Sequence, residues 1–147
     1  MNASLTQPQL LAMNQQQLDE LFSSSPAGDI PDGEAHGNAI IAPGTPYSAD
    51  IAELVNIFAW QGKVFDGAHN VLVNRISPFG INAIVAEVYK APSWFDQKEC
   101  IVLDYSKTSF VAKHIRDEIR EVANKLYLGL VFWDNKRLIG FSLDFGA

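Results

Sequence analysis

LYLGLVFWDNKRLIGFSLDF, residues 126–145, gives the strongest indication of the fold. It reads as two strands joined by a tight turn at Asp134-Asn135-Lys136, and both strands are apolar on both faces. A hairpin with one face in water alternates apolar and polar residues, which this segment hardly does. Both faces are therefore expected to contact something other than water: helices on the outside, and packed side chains or a ligand on the inside.

Length and composition indicate one globular domain of 147 residues, 48% of them hydrophobic and 19% charged. The net charge of −6 argues against nucleic acid or an anionic membrane as a partner, because both require a basic surface. Cys100 is the single cysteine, which excludes an internal disulfide and fits a cytoplasmic location. The first residues lack the pattern of a secretory signal, and no apolar run approaches the roughly 20 residues of a membrane-spanning helix.

The single domain, residues 1–147, divides into three parts. Residues 1–25 predict a helical segment, and residues 26–47 form a connection rich in proline and glycine. The connection is a strand, a lid or a wrapping loop, and the sequence leaves all three open. Residues 48–147 predict an amphipathic helix, capped by Ser48, that is followed by strands. The helical segment is predicted to start at the capping box Thr6-x-x-Gln9, and a second capping box, Asn14-x-x-Gln17, would divide it into two short helices.

Strand patterns follow the helix that begins at Ser48. Residues 60–65 and 70–76 predict a hairpin with its turn at Asp66-Gly67. Residues 81–89 and 100–105 predict two further strands with apolar residues on both faces.

Residues 108–125 have two interpretations. Five apolar residues recur at spacings of four, four, three and four, and most of the charged residues lie off that stripe, which favours a helix. A charged strand at the edge of a sheet is the alternative. The five residues are Val111, Ile115, Ile119, Val122 and Leu126.

The order of these elements predicts the fold class. Helices precede the strands and no regular alternation of strand and helix appears, so a doubly wound parallel sheet is not expected. The pieces predict a mainly β, α+β fold: an antiparallel sheet curled into a barrel or half-barrel, preceded by N-terminal helices. Such a sheet encloses either packed side chains or one small ligand.

The run WQGKVF, the repeated hairpins and the closing strand GFSLDF resemble small lipocalin-like (calycin) β-barrels, over about residues 37–147. The segments DYSKTS, IRDEIREV and LYLG are also similar to segments of bacterial proteins of this length. The resemblance implies a lipocalin-like antiparallel barrel with a pocket for an apolar small molecule.

Three residues are candidates for acid–base catalysis: Glu87, Asp104 and His114. If Glu87 faces the barrel interior, its carboxylate needs a partner or a raised pKa and can act as an acid, a base or a ligand anchor. The alternatives are that it faces outwards, or that it pairs with an Arg or Lys on a neighbouring strand. Asp104 ends a strand, where it either orients another group or caps the following turn. His114 would lie one helical turn from Glu118, and that pair either moves protons near neutral pH or lies on a solvated helix face.

Five residues are candidates for ligand binding: Tyr89, Trp94, Tyr105, Arg116 and Arg120. Aromatic side chains that line a cavity suit a flat or long apolar molecule, although most of the aromatic residues must form the core. Trp94 follows a proline and a serine in a loop and is expected at a pocket mouth. The two arginines, one turn apart on a helix, bind a carboxylate bidentately if they reach into the barrel mouth.

No metal site and no cofactor is expected. His36, His69 and His114 lack the spacing of metal ligands, and the glycines of the connection do not match a nucleotide-binding loop. No nucleophile elbow is present, and Cys100 lies in an apolar strand, where a buried, inert thiol is expected.

Three functions remain open. The first is binding of an apolar small molecule, fatty-acid-, polyketide- or terpenoid-like, in a barrel cavity with no chemistry assumed. The second is a small cofactor-independent enzyme of the isomerase, cyclase or hydratase type that uses acid–base residues in the same cavity. The third is a structural or interaction module with a packed core, whose N-terminal helices contact a partner. These glutamine-rich helices can dock on a second subunit, giving a homodimer, or on their own barrel.

Overall fold

The computed structural model describes residues 5–40, 63–75, 83–107, 114–134 and 136–146. The helix predicted from Ser48 lies outside these residues, as do residues 108–113 of the ambiguous segment and residues 60–62 of the first predicted hairpin. The described residues form two short helices followed by eight strands.

Both predicted N-terminal helices are confirmed, with both capping boxes: α1 spans Gln7–Leu11 and α2 spans Gln15–Ser24. At the start of α2 the Asn14 side chain accepts a hydrogen bond from the Gln17 backbone N–H at 2.8 Å, and the Gln17 side chain accepts one from the Asn14 N–H at 3.0 Å. These bonds satisfy N–H groups that have no partner inside the helix, which fixes where so short a helix begins. Within the described part of the chain, no helix is long and apolar enough to cross a membrane.

The strands form one antiparallel meander in which each strand pairs with the next. Strand β1 also pairs with β8, so the sheet closes into a barrel of eight strands. This confirms the predicted curled antiparallel sheet behind N-terminal helices. The strands are β1 Gly33–Ile40, β2 Lys63–Asp66, β3 Val71–Arg75, β4 Ala83–Pro92, β5 Glu99–Asp104, β6 Ile115–Ala123, β7 Leu126–Trp133 and β8 Lys136–Asp144.

Two clusters of buried side chains lie on the two faces of the barrel wall. The inner cluster joins residues from β1, β2 and β4–β8, among them Phe65, Leu103 and Phe141. The outer cluster joins Leu10 of α1 and Phe22 of α2 to the outward face of β5, β6 and β7. The wall is apolar on both faces where the helices cover it, which explains why β7 does not alternate.

The helix favoured for residues 108–125 is wrong over its described part, because Ile115–Ala123 is strand β6, paired with β5 and β7. The spacing of four that joins Ile115 to Ile119 suits a strand as well as a helix, since residues an even number apart share one strand face. Both isoleucines belong to the inner cluster. Strand β6 has neighbours on both sides, so it is not an edge strand either.

The pairings one helical turn apart, His114 with Glu118 and Arg116 with Arg120, are also wrong, because successive residues of a strand point to opposite faces of the sheet. Arg116, Glu118 and Arg120 share the outer face of β6, since their cross-strand neighbours on β7 all belong to the outer cluster. Those neighbours are Phe132, Leu130 and Leu128.

Gly129 of β7 makes room for an aromatic ring inside the barrel. It pairs with Phe141 of β8, and the Phe141 ring lies where a side chain on residue 129 would begin. A methyl group at this position overlaps three ring carbons, so any larger residue forces the ring out of its place in the inner cluster.

We expect Gly129→Ala to destabilise the protein by about 1–3 kcal/mol, because the added methyl overpacks the interior. Urea unfolding followed by circular dichroism measures the change. Gly37→Ala is the matched control: its new methyl meets the Leu143 side chain at 3.4 Å, which is ordinary van der Waals contact. Equal stability of the Gly129 variant and the wild type would show that the Phe141 ring does not lie over Gly129.

Candidate functional site

A pocket lies at the rim of the barrel, where β5 and β7 end and β6 begins. We call it the rim pocket; its volume is about 340 Å³. Four of the eight residues singled out in the sequence line it: Asp104 and Arg116 belong to strands of the wall, His114 directly precedes β6, and Trp94 lies in the loop after β4. The lining residues are Trp94, Asp104, Ser106, His114, Ile115, Arg116 and Asp134.

A second, more open pocket adjoins the rim pocket on the outside of the barrel. Its volume is about 550 Å³, and it shares Trp94 and Arg116 with the rim pocket. The other lining residues belong to the end of β4 and the loop of residues 93–98: Ala91, Pro92, Ser93 and Gln97. Trp94 therefore stands between the two pockets, with 48% of its surface exposed.

The Glu118 carboxylate holds Trp94 in this position. Glu118 is fully buried, and it accepts hydrogen bonds from the Ser93 hydroxyl at 2.5 Å and from the Trp94 backbone N–H at 2.8 Å. Arg116 donates to the same carboxylate at 3.0 Å and to the Pro92 carbonyl at 3.0 Å. Its guanidinium stacks on the Trp94 ring at 4.2 Å, so one buried carboxylate orders both the aromatic ring and the cation of the pocket.

Asp104 supplies a charged carboxylate to the rim pocket. It accepts hydrogen bonds from the Tyr89 hydroxyl at 2.7 Å and from the hydroxyl and N–H of Ser106 at 2.6 and 2.9 Å. Burial opposes ionisation of Asp104, but these bonds and the Arg116 charge outweigh it and lower the pKa of the carboxyl. Burial, and then the bond to Asp104, raise the pKa of Tyr89 to about 12, so Tyr89 remains a donor at neutral pH.

His114 and Asp134 form the far side of the rim pocket. His114 Nδ1 lies 2.9 Å from Asp134 Oδ1, and the imidazole stacks on the Trp133 ring with a centroid distance of 5.7 Å. Asp134 occupies the turn between β7 and β8 with φ = 46°, a left-handed conformation that Asp and Asn adopt more readily than most residues. A carboxylate that orients an imidazole is an arrangement suited to proton transfer.

Beneath the rim, Tyr105 and Asp117 face the inside of the barrel. The Tyr105 hydroxyl donates to Asp117 Oδ2 at 3.3 Å, and the two residues are 0% and 2% exposed. Asp117 pairs across strands with Leu103 and Val131, both members of the inner cluster, so its side chain shares their face. The Asp117 carboxylate therefore shares the inner face of the wall with the apolar side chains of Leu103 and Val131.

Glu87 faces outwards, because its neighbours Ala86 and Val88 belong to the inner cluster. It is half-buried and lies directly across from Asp104 on β5, so the second of the two orientations considered for it is the one observed, beside the rim pocket.

Arg120 lies outside both pockets, buried between the barrel wall, α2 and the loop of residues 93–98. It is 1% exposed and makes five hydrogen bonds, which matches its five N–H donors. Two of them reach the Asp96 carboxylate side by side, at 2.6 and 2.7 Å, and the other three reach backbone carbonyls. Those carbonyls belong to Phe22, Lys98 and Glu99.

The remaining histidines and the cysteine lie apart from the rim pocket. His36 is on β1, and His69 is bonded to Asp66 at 2.7 Å in the turn after β2. Cys100 is fully buried, and desolvation raises the pKa of its thiol to about 12, so little thiolate is present at neutral pH.

Sequence reasoning missed Asp117 and Asp134 as pocket or interior residues, and it gave Glu118 the wrong neighbours. Reading IRDEIREV with a strand period would have put Asp117 on the same face as Ile115 and Ile119. No sequence signal marked Asp134 as more than a turn residue, because its role follows from how the turn after β7 meets the start of β6.

Comparison with known proteins supports the fold. No protein-family model and no curated protein matches the chain. The crystal structure of a protein from Thermomonospora curvata is similar, with a TM-score of 0.61 and 17% sequence identity over 90% of this chain and 87% of that one. At this level of identity the similarity establishes a shared fold alone.

We expect Arg120→Met to destabilise the protein by about 3–5 kcal/mol, because it leaves the Asp96 carboxylate without its guanidinium partner. The double variant Asp96→Leu with Arg120→Met should lose less than the sum of the two single losses, as measured by urea unfolding in a double-mutant cycle. Lys90→Met is the control: its ion pair with Glu99 is exposed and 3.9 Å long, so a change of about 0.5 kcal/mol or less is expected. Additive losses at Asp96 and Arg120 would contradict the network.

Stability should fall as the pH falls below about 3.8, the ordinary pKa of an aspartate side chain. The hydrogen bonds from Arg120 lower the pKa of Asp96 in the folded protein. A lowered folded pKa gives stability that is present above the unfolded pKa and is lost as the pH falls through the folded pKa. Unfolding at pH 7, 5, 4 and 3 should show a shallower acid loss in Arg120→Met than in the wild type; parallel curves would contradict this assignment.

Proposed function

We propose that the protein binds a small, mainly apolar molecule inside its barrel, as lipocalin-like barrels do. The interior of an eight-stranded barrel either fills with side chains or holds one small ligand. Fatty-acid-, polyketide- and terpenoid-like molecules are the classes considered, and no cofactor is required.

The buried pair of Tyr105 and Asp117 carries this proposal. A carboxylate in an apolar lining costs free energy, and groups in such surroundings are concentrated at functional sites. A hydroxyl and a carboxylate side by side can hydrogen-bond a polar group of a ligand whose remaining surface contacts the apolar wall. Ile115 belongs to both the inner cluster and the rim pocket, so the polar pair lies near the end of the barrel where this pocket opens.

Native mass spectrometry of the protein purified from cells, with organic extraction, is the first experiment. A co-purified apolar molecule is the expected result. An unliganded mass, together with no fluorescence response from the neutral apolar probe N-phenyl-1-naphthylamine, would overturn the proposal and favour an interaction module with a packed core.

Substitution of the polar pair tests where the molecule binds. We expect Asp117→Asn and Tyr105→Phe to weaken binding of the extracted compound by about tenfold, equivalent to about 1.4 kcal/mol, through the lost hydrogen bond. Asp144→Asn is the control, because Asp144 pairs with Leu126 of the outer cluster and so lies on the outer face. Equal affinities for all three variants would place the compound elsewhere.

A small cofactor-independent enzyme is the second candidate, and the pair of His114 and Asp134 favours it. An oriented imidazole beside a pocket is suited to moving a proton near neutral pH. Incubating the extracted compound with wild-type protein and His114→Asn, followed by mass spectrometry, tests it. Conversion that the variant loses supports an enzyme, and recovery of the unchanged compound supports binding alone.

A further inference from the structure

We propose that the rim pocket binds an organic cation, an amine or a quaternary ammonium group. This deepens the proposed function, since such a group would be the polar head of the molecule whose apolar part the barrel holds. The pocket itself carries the inference: it combines a volume of about 340 Å³ with the carboxylates of Asp104 and Asp134 and the exposed ring of Trp94.

The charges around the rim pocket are mainly negative. Asp104 and Asp134 line it, and Glu87 lies directly across the strands from Asp104. Arg116 is the opposing full charge among the described lining residues, and one guanidinium serves two carboxylates: it lies 3.0 Å from the buried Glu118 carboxylate and also favours the charged form of Asp104. Asp134 has the His114 imidazole beside it, at 2.9 Å. The side chain of Lys107 is exposed in the turn after Asp104, and it is not among the described residues that line the pocket.

Three exposed aromatic residues lie in the rim pocket or beside residues that line it. Tyr89, Trp94 and Trp133 are 36%, 48% and 39% exposed, and they make up three of the four large hydrophobic residues exposed in the described chain. Trp94 lines the pocket, Tyr89 bonds to Asp104, and Trp133 stacks on His114. Cations are attracted to the faces of aromatic rings, and quaternary ammonium groups in particular are bound by aromatic residues.

A bound cation would leave the existing hydrogen bonds of the pocket intact. Asp104 keeps its bonds to Ser106 and Tyr89 beside a quaternary ammonium group, because that group has no N–H and interacts with the carboxylate by charge alone. An anionic head meets the carboxylates of Asp104 and Asp134 and is disfavoured by the same charges. Among apolar ligands the geometry therefore selects against a fatty-acid carboxylate at this rim.

The test compares four probes by isothermal titration calorimetry, each below its critical micelle concentration: decyltrimethylammonium, decanol, decanoate and the tail-free tetramethylammonium. We expect decyltrimethylammonium to bind at least fivefold more tightly than decanol or decanoate, with an affinity that falls as salt is raised. Binding of decanol or decanoate as tight as that of the cation would overturn the inference and leave apolar binding in place.

Substitutions of the two carboxylates that line the pocket provide a second test. Asp134→Asn and Asp104→Asn should each weaken decyltrimethylammonium binding by at least threefold and leave decanol binding unchanged. Asn is tolerated at the left-handed position of residue 134, so this variant tests the proposal even where residue 104 affects folding. Glu34→Gln, an exposed carboxylate on β1, is the control and should change neither affinity.

The experiment distinguishes failure of cation binding at the rim pocket from failure of apolar binding inside the barrel. Binding of tetramethylammonium that depends on Asp134, without any binding of decanol, would support the rim pocket and overturn apolar binding in the barrel. Loss of the cation preference together with intact decanol binding would do the reverse. Absence of binding for all four probes would overturn both.

Discussion

The hydrogen bonds of Arg120 are the interaction on which the rest of the outer structure depends. The guanidinium joins three separate parts of the chain: strand β6, the C-terminal turn of α2 and the loop of residues 93–98. Burying a charge is costly unless its hydrogen bonds are satisfied, and here all five donors have acceptors. The loop is therefore fixed to the wall from one end by Arg120 and from the other by Glu118. Trp94 lies between these two attachments, which is why an exposed aromatic side chain has a defined position.

Strand β6 shows where sequence reasoning succeeded and where it failed. The barrel could be predicted because the runs around β4, β5, β7 and β8 are apolar on both faces, and only buried strands have that pattern. The segment IRDEIREV favours a helix by its pattern, because its apolar residues lie at spacings of three and four and most of its charged residues lie off that stripe. Its structure depends on partners far away in sequence, such as Asp96 for Arg120 and Ser93 for Glu118. A local pattern carries no information about those partners.

Individual residues of the candidate site could be predicted from the sequence, but their positions relative to one another could not. Trp94, Asp104, His114 and Arg116 were each identified from residue type and local context, and the rim pocket brings them together. What joins them is the register of β5 against β6, in which Asp104 lies opposite Arg116, and register is set by the whole barrel. The same register places Arg120 on the outer face of the wall, away from the pocket, and Asp117 on the inner face of the barrel. A single strand thus supplies side chains to the pocket, to the interior and to the attachment of α2.

Charged side chains are balanced differently on the outer face of β6 and at the rim of the barrel. On the outer face of β6 the buried charges are paired, Arg116 with Glu118 and Arg120 with Asp96. At the rim the balance differs among the described residues, because Arg116 faces the carboxylates of both Glu118 and Asp104, and Asp134 adds a further carboxylate. The rim pocket therefore combines an excess of carboxylates with the Trp94 ring, which Glu118 and Arg116 hold in position. A ligand with a cationic head and an apolar body fits both the charge of the rim and the lining of the barrel, which a ligand with a carboxylate head does not.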